Sequence, residues 1–236
     1  MKEILELNLN TVKREIQESA HLANRDPDQI TLLAVSKTVS SKNIETMAEL
    51  GHINFAENYV QEGVEKIQSL SAITASKGLI WHFIGPIQSN KTRMIAEYFD
   101  WVQTIDRLKI AQRLSDQRPR DLQPLQFCIQ VNIDGGETKS GVRPDEALSL
   151  AQEVIKLPHM VLRGLMTIPD PVNSIEQQKS IHGQAKDLFE NIKKELQSPD
   201  FDTLSMGMSA DLKAAIEMGS TMVRVGTALF GSRKTA

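Results

Sequence analysis

Eight short apolar segments, each followed by a stretch with helical periodicity, constrain this chain more than any other feature. The segments run 31–35, leading to Lys37, then 53–56, 79–84, 101–105, 126–133, 161–168, 203–206 and 222–225. The first, Thr31-Leu32-Leu33-Ala34-Val35, shows no polar alternation, and a run apolar on both faces reads as a buried parallel strand. Strict β–α alternation requires a parallel sheet, and eight repeats is the number that closes a barrel with a side-chain-filled interior. The 236 residues fit the roughly 250 of such a fold. An open doubly wound sheet is the other parallel arrangement. Its dinucleotide-binding version carries a Gly-x-Gly-x-x-Gly turn after the first strand, which this chain lacks. The expected architecture is a single-domain α/β protein, a (β/α)8 TIM barrel over 31–230 with an extra N-terminal helix over 1–24.

The helical stretches carry their own punctuation. Residues 2–24 place Ile4, Leu5, Leu9, Val12, Ile16, Ala20 and Ala23 at spacings of one, three and four, an amphipathic stripe. Ser40-Ser41 caps a helix to Leu50-Gly51. Asn58 opens one to Leu70, and helices are expected over 89–99 and, capped by Asp106, up to residue 116. Pro144 suits the first position of a helix that ends before Pro158. Further helices are expected over 174–196 and, capped by Ser209, up to Met218, with the eighth reduced to a short tail after Thr227. No Pro-, Gly- or Ser-rich linker divides the chain.

Bulk properties exclude several functions. A composition of 40% hydrophobic and 24% charged residues is that of a globular protein. A net charge of −3 offers no surface for a polyanion, so nucleic acid is not an expected partner. The single cysteine, Cys128, forms no internal disulfide and lies in the apolar run Phe127-Cys128-Ile129, where it reads as a small buried hydrophobe. The charged, amphipathic start Met1-Lys2-Glu3-Ile4 is no secretory signal, and no apolar stretch approaches 18 residues. A cytoplasmic protein without membrane attachment is expected.

In a barrel the active site is built at the C-terminal ends of the strands. There the chain places Lys37, Glu57 with Asn58, His82, Asp106, Asn132, Met166 with Thr167, Ser205, and Arg224 with Gly226 and Thr227. Several have plain structural explanations: Asn58 with Gln61 fits a capping box, Asp106 a helix cap, and His82 a satisfied histidine at the core edge. Glu57, His82 and Asn132 are scattered over three strands without a ligand spacing, and no metal is expected. The turns after the last two strands, Leu204-Ser205-Met206-Gly207-Met208-Ser209 and Val223-Arg224-Val225-Gly226-Thr227, are where barrels commonly hold a phosphate. Gly226 permits close backbone approach, and Ser205 and Thr227 add hydroxyls. An anion cradle facing a lysine amine suits a phosphorylated aldehyde.

Six strings in order across nearly the whole chain resemble the pyridoxal phosphate homeostasis proteins: 33–38 (LAVSKT), 57–62 (ENYVQE), 81–91 (WHFIGPIQSNK), 164–166 (GLM), 204–209 (LSMGMS) and 223–227 (VRVGT). That family is similar to the barrel domain of alanine racemase without its C-terminal β-domain. The resemblance implies pyridoxal 5'-phosphate as cofactor, held as a Schiff base on Lys37. It further implies Arg224 at the pyridine nitrogen, Ser205, Gly226 and Thr227 at the phosphate, and Asn58, His82 and Met166 around the ring. It implies a monomeric carrier or regulator with little or no turnover, whose partners are the cofactor, amino acids and the apoenzymes that use it. An always-charged arginine at the ring nitrogen disfavours a cationic ring and weakens the electron sink. Only Tyr59 and Tyr98 could oppose Lys37 as a second acid–base group, and neither is expected at a strand terminus. Two other readings stand beside this one: an amino-acid racemase or lyase working through Lys37, and a regulatory module whose output is a protein contact.

Overall fold

The structure is a computed structural model that describes residues 1–136 and 139–231. Eight parallel strands close into a barrel in sequence order: β1 Thr31–Val35, β2 Asn54–Glu57, β3 Ile80–Phe83, β4 Trp101–Ile105, β5 Leu125–Val131, β6 Met160–Thr167, β7 Thr203–Ser205 and β8 Met222–Val225. The seam is made by β1 and β8, with Thr31 opposite Met222 and Ala34 opposite Val225. The single-domain barrel expected from the repeat pattern is therefore present.

Two apolar cores follow from the two faces of every strand. Inward-facing Leu33, Val35, Ala56, Ile84 and Met222, with Trp101, fill the barrel. The outward faces join the helices in a larger cluster that includes Phe55, Phe83, Phe99, Phe127 and Phe201. Cys128 is fully buried, and burial pushes its thiol up to about 12, so it behaves as the small apolar residue expected. At Gly164 on β6, with φ of 154°, a Cβ would stand 1.7 Å from the Thr203 carbonyl oxygen, so only glycine lets β6 and β7 approach.

The helices are α1 Lys2–Leu22, α2 Ser41–Glu49, α3 Val60–Ser69, α4 Ser71–Lys77, α5 Thr92–Tyr98, α6 Leu108–Gln117, α7 Pro144–Val154, α8 Ile175–Leu196, α9 Leu212–Glu217 and α10 Thr227–Phe230. In α1 the buried face is Leu5, Leu9, Val12, Ile16 and Ala20, whereas Ile4 is exposed and does not belong to the stripe. Ser40 caps α2 as expected, and Ser174, read as the first residue of its helix, caps α8. Three caps differ. Tyr59, not Asn58, precedes α3. Arg107, not Asp106, precedes α6, and the Asp106 carboxylate lies 3.7 Å from that guanidinium. Asp211, not Ser209, precedes α9; its Oδ1 accepts from the Met208 N–H at 2.6 Å. A turn, with the Lys91 N–H bonded to the Gln88 carbonyl, delays α5 to Thr92. Helix α4 is unforeseen: it buries no residue, so it leaves no apolar period to read, and Gly78 ends it in the left-handed conformation. Among the described residues no helix is long and apolar enough to cross a membrane.

Candidate functional site

The barrel seam sets the geometry of the site. Because β1 and β8 are hydrogen-bonded neighbours, the loop after Val35 and the turn after Val225 emerge side by side. Lys37, Thr38 and Ser40 from the first, with Asn43 of α2, line one cavity of about 460 Å³ together with Gly226 and Thr227 from the second. That volume lies within the roughly 300–1,000 Å³ of small-molecule sites. Lys37 is half-buried in the turn that follows β1, two residues beyond inward-facing Val35, and lines this cavity. At Gly226 a Cβ would come within 3.3 Å of the Val35 carbonyl oxygen, so glycine allows close approach of the two backbones there. In the four-residue α10 the Leu229 and Phe230 N–H groups donate to the Gly226 carbonyl at 3.0 Å, which leaves those of Thr227 and Ala228 without a carbonyl of the same turn.

Inside the barrel a chain of buried polar side chains links β3, β4, β7 and β8. Gln103 Nε2 stands 3.1 Å from His82 Nδ1 and 3.0 Å from the Met222 sulfur, and its Oε1 accepts from the Ser205 hydroxyl at 2.7 Å. Ser205 Oγ in turn accepts from Arg224 Nη1 at 2.7 Å, and Arg224 Nη2 donates to the Thr167 carbonyl at 2.7 Å. With the Gln103 amide in this orientation, His82 Nδ1 is the acceptor and Nε2 carries the proton. Burial lowers the His82 pKa to about 3 and that of Arg224 to about 10, so the imidazole is neutral and the guanidinium charged at neutral pH. His82 also stacks on Trp101 with ring centroids 5.1 Å apart.

The residues predicted for the site thus fall into two groups. Lys37, Gly226 and Thr227 share the cavity. His82, Ser205 and Arg224 belong to the buried chain, with Met166, fully buried, directly opposite Ser205 in the β6–β7 register. Asn58 sits just past β2, its Oδ1 buried without a hydrogen-bond partner among the described residues. Asn132 Oδ1, Thr167 Oγ1 and His82 Nε2 share that condition. Buried polar atoms at a barrel mouth without protein partners point to a polar group that binds there. The buried Arg224 guanidinium, whose two terminal nitrogens donate to neutral oxygens, is likewise ready for an anionic or lone-pair acceptor.

Sequence reasoning missed Gln103 and, although it placed Glu57 at a strand end, the charged cluster that Glu57 forms with Glu62 and Lys66. Gln103 was detectable as a polar residue at an inward position of an apolar strand. Glu62 and Lys66 were detectable as an i,i+4 pair, though nothing in that spacing tells a buried pair from a solvated one.

Comparisons with known proteins agree with this geometry. The family described as alanine racemase, N-terminal domain, matches residues 7–234. A pyridoxal phosphate homeostasis protein of Haemophilus influenzae is 50% identical over 226 residues, which are 96% of this chain and 94% of that protein. The structure of PipY from Synechococcus elongatus with PLP bound superposes with a TM-score of 0.80 at 31% identity, covering 92% of this chain and 100% of that one. An alanine racemase of Clostridium difficile shares the fold at a TM-score of 0.71 and 16% identity, covering 99% of this chain but 57% of the racemase.

Proposed function

The chain belongs to the pyridoxal phosphate homeostasis proteins, within the alanine racemase N-terminal-domain family, and from that premise we propose that it binds pyridoxal 5'-phosphate on Lys37 and keeps or hands over the cofactor in the cytoplasm. The observation that carries the reading is the single cavity lined by Lys37, Gly226 and Thr227. When bound, the cofactor supplies an aldehyde for an amine and a ring that can delocalise negative charge. The chain does the rest. Lys37 presents its amine from the end of β1, and the backbone at Gly226 and Thr227, with the Thr227 hydroxyl, receives the phosphate. Ser205 holds Arg224 in place, and Arg224 opposes protonation of the ring nitrogen by its own fixed charge. Asn58, His82 and Met166 are outside the lining of the Lys37 cavity, and their assignment to the ring side rests on the family resemblance.

This arrangement supports a carrier or regulator rather than a racemase or lyase. Stereochemical inversion needs a second acid–base group facing Lys37. The Tyr98 hydroxyl accepts from Gln68 at 2.9 Å, and Tyr59 stands exposed before α3. Neither is among the residues lining the Lys37 cavity. Partners under this reading are the cofactor, amino acids and cofactor-requiring apoenzymes, with the protein itself a monomer.

The test is borohydride reduction of the protein mixed with pyridoxal 5'-phosphate, followed by peptide mapping. The cofactor should remain covalently on the peptide containing Lys37 and be lost from that position in Lys37→Ala, which should also lose the visible absorption band. Undiminished trapping in Lys37→Ala overturns the assignment. Rapid inverting exchange of an amino-acid α-proton into deuterated solvent would instead make the protein an enzyme.

A further inference from the structure

The two residues flanking Lys37 are tied to one buried cluster of charge lying between β2 and α3. On the N-terminal side, the Ser36 carbonyl accepts from Lys66 Nζ at 2.7 Å and the Ser36 hydroxyl donates to Glu57 Oε1 at 2.6 Å. On the C-terminal side, the Thr38 N–H donates to Glu62 Oε1 at 2.5 Å. Lys66 Nζ joins the halves, donating to Glu57 Oε1 at 2.9 Å and to Glu62 Oε1 at 2.6 Å. With the Ser36 carbonyl, those bonds use all three ammonium protons. Lys66 is only 6% exposed and Glu57 fully buried.

A buried ion pair is a weak source of stability, since apolar side chains of similar volume do as well or better. Its better-attested use is to specify one arrangement, and here the arrangement is unusual. Thr38 has φ of 64°, in the left-handed region that a β-branched residue rarely occupies. Surrounding bonds must hold such a residue, and such conformations gather at functional sites. The Glu62 carboxylate grips the amide of that residue, and its bond is charge-assisted.

We propose that Glu57, Lys66 and Glu62 form a positioning device for Lys37. By fixing the peptide on each side of residue 37, the cluster delivers the lysine amine into the cavity at the angle required to attack an aldehyde. The inference rests on the reading that Lys37 takes pyridoxal 5'-phosphate. In the step it serves, the nitrogen of the neutral Lys37 amine forms a bond to the aldehyde carbon, the carbon–oxygen bond breaks, and the oxygen leaves as water with the two amine protons, with no change of oxidation state. None of the three residues lines the cavity. Their effect is on the orientation of the nucleophile, where small misplacements cost much rate.

The experiment compares cofactor-free wild type, Glu62→Leu and Glu62→Gln in the rate of covalent capture of pyridoxal 5'-phosphate and in the affinity for pyridoxine 5'-phosphate. The second probe has an alcohol where the first has the aldehyde. Glu62→Leu should slow capture by roughly tenfold or more and leave pyridoxine 5'-phosphate binding within about twofold. Glu62→Gln keeps an oxygen for the Thr38 N–H and should recover most of the rate. Wild-type capture by Glu62→Leu, or a fall in pyridoxine 5'-phosphate affinity as large as the fall in capture rate, overturns the proposal. Lys66→Met should act in the same direction, and if it does not fold, the Glu62 pair still decides. Lys37→Ala, run alongside, separates the two readings: capture that persists there removes the Lys37 assignment itself, whereas capture lost there but unaffected in Glu62→Leu removes only the positioning role.

Discussion

Arg224 and Ser205 share a buried hydrogen bond of 2.7 Å, from the guanidinium Nη1 to the hydroxyl oxygen, and it joins the end of β8 to the end of β7 inside the barrel. The same hydroxyl donates to Gln103 Oε1 on β4, so one serine satisfies a cation and an amide at once. Few positions in the molecule have so little freedom to change.

Ser205→Ala leaves the Arg224 nitrogen and the Gln103 oxygen buried without their partner, a loss of about 1–3 kcal/mol. For a protein of this size the melting temperature should fall by roughly 2–4 °C per kcal/mol. Equilibrium urea unfolding measures the loss directly. A variant within 0.5 kcal/mol of wild type, roughly the scatter of neutral surface changes, would mean the chain relaxes and the bond is dispensable.

Gly164→Ala should be far worse. Its Cβ would stand 1.7 Å from the Thr203 carbonyl oxygen at a φ of 154°, so β6 and β7 must part or the backbone must leave its conformation. The expected cost exceeds about 3 kcal/mol. Soluble yield and the urea midpoint report it; a midpoint equal to wild type would show that the two strands separate without penalty.

Acid should destabilise the fold through two histidines before most carboxylates titrate. Burial lowers His82 from 6.5 to about 3 and His52 from 6.5 to about 4. In the unfolded chain both take up a proton as the pH falls through 6.5, while in the folded chain they stay neutral. The unfolded state therefore binds more protons, and stability rises with pH across this window, being complete above 6.5. Each histidine contributes about 1.4 kcal/mol per pH unit between 6.5 and its folded value. Glu57 and Asp100, whose carboxyls burial raises from 4.5 and 3.8, oppose this from those unfolded values upward, because there the folded state binds more protons. Urea unfolding from pH 7.5 to 4.5 in wild type, His52→Gln and His82→Gln isolates the effect: each replacement should flatten the slope by about one proton. Slopes that stay parallel would show these imidazoles are not buried neutral.

The fold was legible where the information is local. Leu5, Leu9, Val12, Ile16 and Ala20 announce α1 by spacing, and Thr31–Val35 announces a buried strand by its lack of polar residues. Caps were less legible, because any Ser, Asp or Asn near a helix start satisfies the pattern. Asn58 and Asp106 each stand one residue before the cap position and Ser209 two residues before it. In the site, Lys37, Gly226 and Thr227 could be named from their strand ends, whereas Gln103 gave no sign of the four side chains it touches or supports.

By itself the sequence determined the number and order of strands, and hence a closed parallel barrel with its polar residues at one mouth. It did so because hydrophobic period and β–α alternation are properties of neighbouring residues. Only the tertiary structure decided that Lys37 meets Gly226 across the seam, that Ser205 belongs to Arg224, and that Lys66 braces both flanks of Lys37. Those partners lie far apart along the chain, and their meeting depends on barrel closure and register, which no local pattern encodes.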